Sequence, residues 1–501
     1  MGRIRNETLS GAKWQLASKI TLEPVQLVYG MILARFVGPE EMGILGLTAI
    51  FFAVAGTLAE AGFGQALIRK LDRTDADINT MFWFNVGMSL LMSGTLFLAA
   101  PWFAEFYHQP ALLNLTRVSA VMMFLNSTGS IHWTLYTCRR DFKTPAIIRV
   151  VTTLIGIPIC LVLAWKGFSY WSVVIQGVVV SLISLVTIWI ISPWKPRFMF
   201  SGASFRELFG FGSKLAASNL LGTIYFYIKP FIVGKFYSAA DLGIYSRGGH
   251  LAKVAPQTFS SIVDQIAYPI LATIQNDDTR LRSVYQKYIK ISTLVICWGT
   301  FLIAAMGEPL VRVLYGEKWL GCVAFLQIIC FSVCLTHISS INLGLLKVKG
   351  RTDLVLWLEV IKKTISLAMA IYAATISVEA ICWATVIYSQ IAIFLNSYYT
   401  AKLIDLSWWQ QQKDYFPYVI ASFITVTPAY FISMAPLHPI LQLACGGLSA
   451  LLLYYAYLHF KRDDAYHELL ICAAQSPKIK RVKLLEKFIA YEIGCFTRPT
   501  P

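Results

Sequence analysis

The sequence predicts an all-α integral membrane protein with about fourteen transmembrane helices, arranged as two pseudo-symmetric six-helix lobes plus two extra helices. The first supporting observation is composition, since 56% of the 501 residues are hydrophobic and only 14% are charged. The second is a succession of apolar stretches, each long enough to cross a bilayer core of about 30 Å. The third is a connection between two such stretches that occurs twice.

This repeated connection occupies residues 32–44 and 232–244. The two copies align without a gap and are identical at Ile32/Ile232, Phe36/Phe236, Gly43/Gly243 and Ile44/Ile244. Each copy ends one apolar span, makes a short polar turn and begins the next. Because the copies fall on the same connection of each half, they predict a duplicated membrane protein.

The spans are long and continuously apolar, which favours helices over a barrel. They are predicted at residues 12–35, 41–62, 80–100, 112–137, 146–166, 170–191, 212–236, 246–271, 285–306, 320–345, 355–375, 379–400, 415–434 and 438–460.

These spans divide the chain into four predicted parts. They are a first lobe at 1–200, a second lobe at 201–405, an appended helix pair at 406–460 and a basic cytoplasmic tail at 461–501. An even number of spans per lobe relates the lobes by an axis along the membrane normal and predicts a cavity between them. In the linker, Phe205 to Phe209 is predicted as a short helix at the cytoplasmic surface.

Orientation follows from the distribution of the 43 Lys and Arg residues. Most of them fall in one alternating set of loops and in the tail, which predicts that both termini are cytoplasmic. The formal charge of +16 is thereby interpreted as a topology signal with attraction to anionic lipids, and no nucleic-acid partner is predicted.

Motifs for catalysis and metal binding are missing from the sequence. The ten cysteines are scattered without a Cys-x-x-Cys pair, and no His, Cys and carboxylate group has metal-ligand spacing. There is also no P-loop and no Gly-x-Ser-x-Gly. We therefore predict no enzyme activity, no metal and no cofactor.

Charges inside the spans are the candidate functional residues, because such charges are costly and usually face a cavity. Lys19 and Glu23 lie one turn apart in span one, either as a structural ion pair or as a cavity-lining pair. Lys229 and Lys253 have no carboxylate one turn away and are predicted to line the cavity. Asp264 lies near the same helix face as Lys253.

Other charges lie nearer to the ends of the spans. Arg117 either snorkels outward or has a functional role. Arg149 in span five, and Glu359 and Lys362 in span eleven, are predicted as interfacial anchors or gate contacts.

Four stretches carry a family resemblance: Phe36 to Gly43, Ala59 to Arg69, Arg139 to Lys143 and Phe236 to Gly243. In them the chain resembles polysaccharide exporters and Wzx-like lipid-linked oligosaccharide flippases of the multidrug/oligosaccharidyl-lipid/polysaccharide superfamily. The resemblance implies a V of two lobes in a bacterial cytoplasmic membrane, with spans one, two, seven and eight lining the cavity. It also implies a lipopolysaccharide, O-antigen, capsule or exopolysaccharide pathway, with a polymerase and a chain-length regulator as partners.

The function expected is translocation of a polyprenyl-pyrophosphate-linked oligosaccharide. Lys19, Lys229, Lys253 and Arg117 are the expected substrate contacts, and Glu23 and Asp264 are candidate sites for a coupling cation. An H⁺ or Na⁺ gradient is left open as the energy source. A cation-coupled multidrug antiporter is the main alternative, although its cavity should be rich in carboxylates. A glycosyltransferase, a polymerase or a scaffold subunit would fit the short outer loops and the charges within spans less well.

Overall fold

The computed structural model describes residues 2–474, 489–490 and 492–493, without the side chains of residues 2–13, 15–17, 20, 261–266, 269 and 472–473. Every regular element within this described part is helical, which confirms the all-α fold class. The helices are α1 (Gly2–Phe36), α2 (Pro39–Leu47), α3 (Ala49–Glu60), α4 (Phe63–Arg69), α5 (Asp75–Phe106), α6 (Ala111–Cys138), α7 (Lys143–Trp165), α8 (Trp171–Ile191), α9 (Gly202–Phe236), α10 (Ala239–Thr273), α11 (Asp278–Ala305), α12 (Gly307–Leu314), α13 (Cys322–Val333), α14 (Thr336–Val348), α15 (Thr352–Ala374), α16 (Val378–Ile404), α17 (Trp408–Ser433), α18 (Pro439–Lys461) and α19 (Asp464–Ala474), with a 3-10 turn at Glu317–Trp319.

Nine helical segments in the described residues are long and apolar enough to cross a membrane. They are Pro39–Arg69, Asp75–Phe106, Lys143–Trp165, Trp171–Ile191, Asp278–Ala305, Cys322–Val348, Val378–Ile404, Trp408–Ser433 and Pro439–Lys461. Each coincides with a predicted span. The five remaining predicted spans coincide with α1, α6, α9, α10 and α15. The total of fourteen therefore stays a prediction, whereas the helical membrane architecture is confirmed.

The chain forms two compact units, residues 1–244 and residues 245–501. Helices α1 to α9 belong to the first unit, and α11 to α19 belong to the second. The predicted lobe boundary at 200/201 concerns the sequence repeat and stays a prediction. In terms of packing, α9 lies against α2, α3, α4 and α5 of the first unit.

The linker helix differs from its prediction. Phe205 to Phe209 do not form a separate surface helix but the first turns of α9, which continues through Gly212. Ser201 caps this helix by accepting a hydrogen bond from the backbone N–H of Ser204. The Phe205 ring packs 5.4 Å from that of Phe84. The prediction was wrong because Phe205 packs against Phe63 of α4 and Phe84 of α5 as part of a much longer helix.

The two copies of the repeated connection lie against each other within the first unit. A β-carbon at Gly43 would overlap the carbonyl oxygen of Ala239, and one at Gly243 would overlap that of Pro39. Only glycine permits this close approach of two backbones. The identities that revealed the duplication thus form a contact between its two copies.

The second unit has a buried polar network that ties α11 to α14 and α17. The Tyr285 hydroxyl donates to Oδ1 of Asn342 at 2.8 Å and also lies 3.1 Å from Oε1 of Gln411. All three residues are fully buried. Such a network fixes the positions of neighbouring helices because each group left unpaired would be costly.

Candidate functional site

The second span contains two interruptions. It consists of α2, α3 and α4, with breaks at Thr48 and at Ala61–Gly62. Ala61 and Gly62 both adopt left-handed backbone conformations, with φ of 44° and 71°. Non-helical backbone at membrane depth is tolerated only where protein buries it or where it borders water. The second break therefore marks a place where the helix does not face lipid.

Helix α9 packs directly onto this second break. A β-carbon at Gly212 would lie 2.8 Å from the carbonyl oxygen of Ala61, so the two backbones touch. Glycine at Gly62 and at Gly212 is what permits the approach. The contact brings the first third of α9 beside the end of α3.

A cavity of about 440 Å³ opens beside the break, among α3, α4, α6 and α9. Its aromatic wall is formed by Phe52 and Trp133. Its polar lining consists of Thr57, Glu60, Gln65, Thr134, Thr137 and Asn219. The cavity lies entirely within the first unit.

The three threonine hydroxyls of this lining already have partners. Thr57 donates to the carbonyl of Ala53 at 2.8 Å, and Thr137 donates to that of Trp133 at 3.1 Å. Thr134 likewise donates to a carbonyl one turn earlier. Their hydrogen-bonding capacity is used largely within the helices.

Glu60, Gln65 and Asn219 differ from the threonines. All three side chains are exposed to the cavity. Within the part of the chain that the structure describes, none of them has a hydrogen bond or an ion pair. One carboxylate and two carboxamides therefore converge on one space with free donors and acceptors. The cavity lining includes no Lys, Arg or His, so its only formal charge is the negative one of Glu60.

An ion-pair cluster joins three elements at one end of this cavity. Lys70 Nζ lies 2.7 Å from Glu207 on α9 and 3.0 Å from Asp77 on α5. Asp77 is only 1% exposed and also forms a capping box with Thr74. The hydrogen bonds to Glu207 and then to Asp77 raise the pKa of Lys70. This cluster holds the walls of the cavity in register.

The predicted site residues of the first unit lie elsewhere. Lys19 and Glu23 are 3.9 Å apart and mostly exposed, so their attraction is weak. The Arg117 guanidinium lies 5.3 Å from the centre of the Phe97 ring, and its Nε is buried without a hydrogen bond. Arg149 is exposed on α7.

Lys229 is half-buried on α9 and has an interaction partner. None of the predicted residues with a described side chain lines the cavity.

In the second unit, Lys253 is half-buried on α10. Glu359 and Lys362 form an ion pair of 2.6 Å in which the Lys362 side chain is only 4% exposed. The Asp264 side chain lies outside the described residues. The roles assigned to these residues stay predictions.

Sequence reasoning gave no role in a site to Glu60, Gln65, Asn219 or Trp133. A signal for Glu60 was present, because a carboxylate within a predicted span is itself a functional hypothesis. The motif from Ala59 to Arg69 was used only as a family resemblance. For Asn219 no local signal exists, because the role of an amide in an apolar helix depends on which helices pack opposite it.

Comparison with known proteins identifies the family. Residues 32–324, more than half of the chain, match the family described as polysaccharide biosynthesis protein. The chain belongs to this family. It is 23% identical to the teichuronic acid biosynthesis protein TuaB of Bacillus subtilis (strain 168), over 90% of this chain and 96% of that protein. It is 24% identical to the succinoglycan biosynthesis transport protein ExoT of Rhizobium meliloti (strain 1021), over 83% and 82%.

Solved structures show the same fold in known membrane transporters. The inward closed conformation of the lipid II flippase MurJ matches with a TM-score of 0.71 at 12% identity, covering 91% of this chain and all of that one. An inward-facing multidrug resistance MATE family transporter of the MOP superfamily matches with a TM-score of 0.56 at 15% identity, covering 76% and 94%. This member of the polysaccharide biosynthesis family is thus a multi-pass membrane protein with the fold of that superfamily, as its resemblance implied.

Proposed function

We propose that this chain translocates a polyprenyl-pyrophosphate-linked oligosaccharide or polysaccharide precursor across the bacterial cytoplasmic membrane by alternating access. The observation that carries the proposal is the polar cavity beside the broken second span, in which three polar side chains from three helices face one space. Support comes from the family, and from relatives named for the biosynthesis or transport of surface polysaccharides.

The physical problem for such a substrate is its head group. A glycan and an anionic pyrophosphate are both strongly disfavoured in hydrocarbon, so unassisted crossing is slow. A protein can lower this barrier by offering polar groups that replace water, while the polyprenyl chain stays in the bilayer. Free carboxamides and a carboxylate at membrane depth are suited to hydroxyl groups, and lysines are suited to phosphate.

In this proposal, cationic side chains bind the pyrophosphate. Lys19, Lys229, Lys253 and Arg117 contact the pyrophosphate at successive stages. Glu23 and Asp264 take up H⁺ or Na⁺ from the gradient that drives the cycle. Arg149 and the pair formed by Glu359 and Lys362 anchor or gate the cytoplasmic ends of their helices. Both termini are cytoplasmic, and a polymerase and a chain-length regulator receive the product.

The decisive experiment is lipid mass spectrometry of membranes after depletion of this protein in its host. A complete polyprenyl-pyrophosphate oligosaccharide should accumulate while the surface polysaccharide is lost. If no lipid-linked sugar accumulates and sensitivity to cationic drugs rises, the antiporter function replaces the proposal. If only short, unpolymerised glycan reaches the surface, the protein acts after translocation and the proposal fails.

The phosphate contacts have their own test. Replacing Lys229 and Lys253 together by alanine should reduce glycan export at normal protein levels. Lys166→Ala, at the exposed end of α7, is the matched control and should leave export unchanged. Full export by the double variant would exclude the two lysines as substrate contacts.

A further inference from the structure

The cavity beside Ala61–Gly62 presents hydrogen-bonding groups that no described residue uses. Polar side chains that only hold helices together would pair with one another, as the satisfied buried groups of proteins do. Here Glu60, Gln65 and Asn219 come from three helices, α3, α4 and α9, and all three lack a partner within the described residues. The cluster at Lys70 shows the contrast, because every charge there is paired.

We propose that this cavity is a sugar-binding subsite that takes one neutral, hydroxyl-rich residue of the transported glycan. The inference rests on the proposed function and deepens it, because it assigns the glycan a place separate from the pyrophosphate. A hydroxyl group both donates and accepts, which matches a carboxylate acceptor together with two carboxamides. Trp133 and Phe52 add flat apolar surface for the C–H faces of a sugar ring.

Charge separates the glycan from the phosphate. The only charge on the cavity wall is negative, and no cation among the lining residues offsets it. Phosphate recognition in proteins commonly uses Arg or Lys side chains, and the cavity lining has neither. Glu60 would repel a pyrophosphate or an acidic sugar, whereas a neutral sugar would meet no electrostatic repulsion. The subsite therefore selects against anionic residues at this position of the glycan.

The size of the cavity fits a single sugar residue. A volume of about 440 Å³ would hold roughly fifteen water molecules at about 30 Å³ each. That space suffices for one pyranose ring together with several waters. The remainder of the glycan would lie outside the subsite.

The test measures ligand-induced stabilisation of the purified full-length protein in detergent. One probe is the oligosaccharide repeat unit released from the surface polysaccharide of the host, and the other is inorganic pyrophosphate. A ligand that binds the folded protein raises its unfolding midpoint in a concentration-dependent way. Glu60→Gln and Asn219→Ala should each raise the half-effective oligosaccharide concentration about three- to tenfold, the value of one or two hydrogen bonds. Their response to pyrophosphate should equal that of the wild type.

Matched controls keep the result interpretable. Glu105→Gln and Asn114→Ala change the same residue types at exposed positions outside the cavity and should leave both responses unchanged. Unfolding midpoints without ligand identify any variant that has lost its fold, and Gln65→Ala then replaces it.

Three results would overturn the proposal. The first is a wild type that does not respond to millimolar oligosaccharide. The second is cavity variants that lose the pyrophosphate response instead. The third is Glu60→Gln with normal oligosaccharide binding but loss of gradient-driven export, which would make Glu60 a coupling site. If these occur while depletion still accumulates the lipid-linked oligosaccharide, translocation stands and only the sugar subsite fails.

Discussion

Replacing Gly43 by alanine tests whether the two repeated connections touch through their backbones. The added methyl carbon would lie 2.5 Å from the carbonyl carbon of Ala239 and still closer to its oxygen, whereas ordinary contact begins at 3.4 Å. Both obstructing atoms belong to the backbone, so no side-chain rotation can relieve the overlap. Raising the 1.6 Å separation from the carbonyl oxygen to 3.4 Å requires the helices to part by about 1.8 Å, and they then lose the packing of Leu242 against Gly46. Overpacking of this kind costs about 1–3 kcal/mol, and we expect the upper end of that range.

Thermal unfolding of the purified protein measures this effect. At roughly 2–4 °C per kcal/mol, a loss of about 3 kcal/mol lowers the midpoint by about 6–12 °C. Gly94→Ala is the matched control, because a β-carbon at Gly94 in α5 meets nothing within 4 Å. There the change should stabilise by up to about 1 kcal/mol through helix propensity. Equal midpoints for the two variants would refute the backbone contact, and Gly243→Ala should repeat the result for Gly43→Ala.

Three further predictions concern the ion pairs of Lys70 and the hydrogen bonds of Tyr285. Lys70→Met should destabilise the protein by roughly 3 kcal/mol in chemical denaturation, because it leaves the buried Asp77 without its cation. Glu207→Gln removes an exposed partner of Lys70 and should lower the stability by under about 1 kcal/mol. The raised pKa of Lys70 adds stability that is fully present below the ordinary lysine value of 10.5 and is lost as the pH rises through the higher folded value. Denaturation should therefore show that the difference in unfolding free energy between wild type and Lys70→Met becomes smaller from neutral to strongly alkaline pH. A constant difference would contradict the ion pairing of Lys70. Tyr285→Phe should lower the stability of the second unit by about 1–3 kcal/mol, because it leaves buried acceptors unpaired. Tyr372→Phe, at an exposed tyrosine, should change the stability by less than about 0.5 kcal/mol. Similar losses for both variants would count against the network.

Membrane helices could be predicted from the sequence because bilayer thickness sets their length. Each of the fourteen predicted spans coincides with one or more described helices. The interruption at Ala61–Gly62 could not be predicted, because hydropathy is unchanged by a local left-handed turn. The backbone that packs against the turn belongs to Gly212, which lies far away in the sequence. The aromatic start of α9 was misjudged for the same reason, since its partner Phe84 is remote along the chain.

The candidate site was less predictable than the fold. Counting charges inside spans found Lys362 but could not show that Glu359 neutralises it at 2.6 Å. The motif that contains Glu60 was recognised only as a family resemblance, and Asn219 had no predicted role. Whether a polar side chain is free or paired depends on which groups packing brings near it. No local pattern contains that information.

The sequence alone therefore determined that this chain is a helical membrane protein, which way its loops are expected to face, and that one connection is duplicated. These properties are sums over consecutive residues, each of which partitions between water and lipid largely on its own. Only the tertiary structure decided that Gly43 and Gly243 lie in the contact between the two copies. It alone also decided that Glu60 and Asn219 share one water-accessible cavity. Close packing and hydrogen-bond satisfaction are properties of pairs, and these pairs form only when distant segments meet.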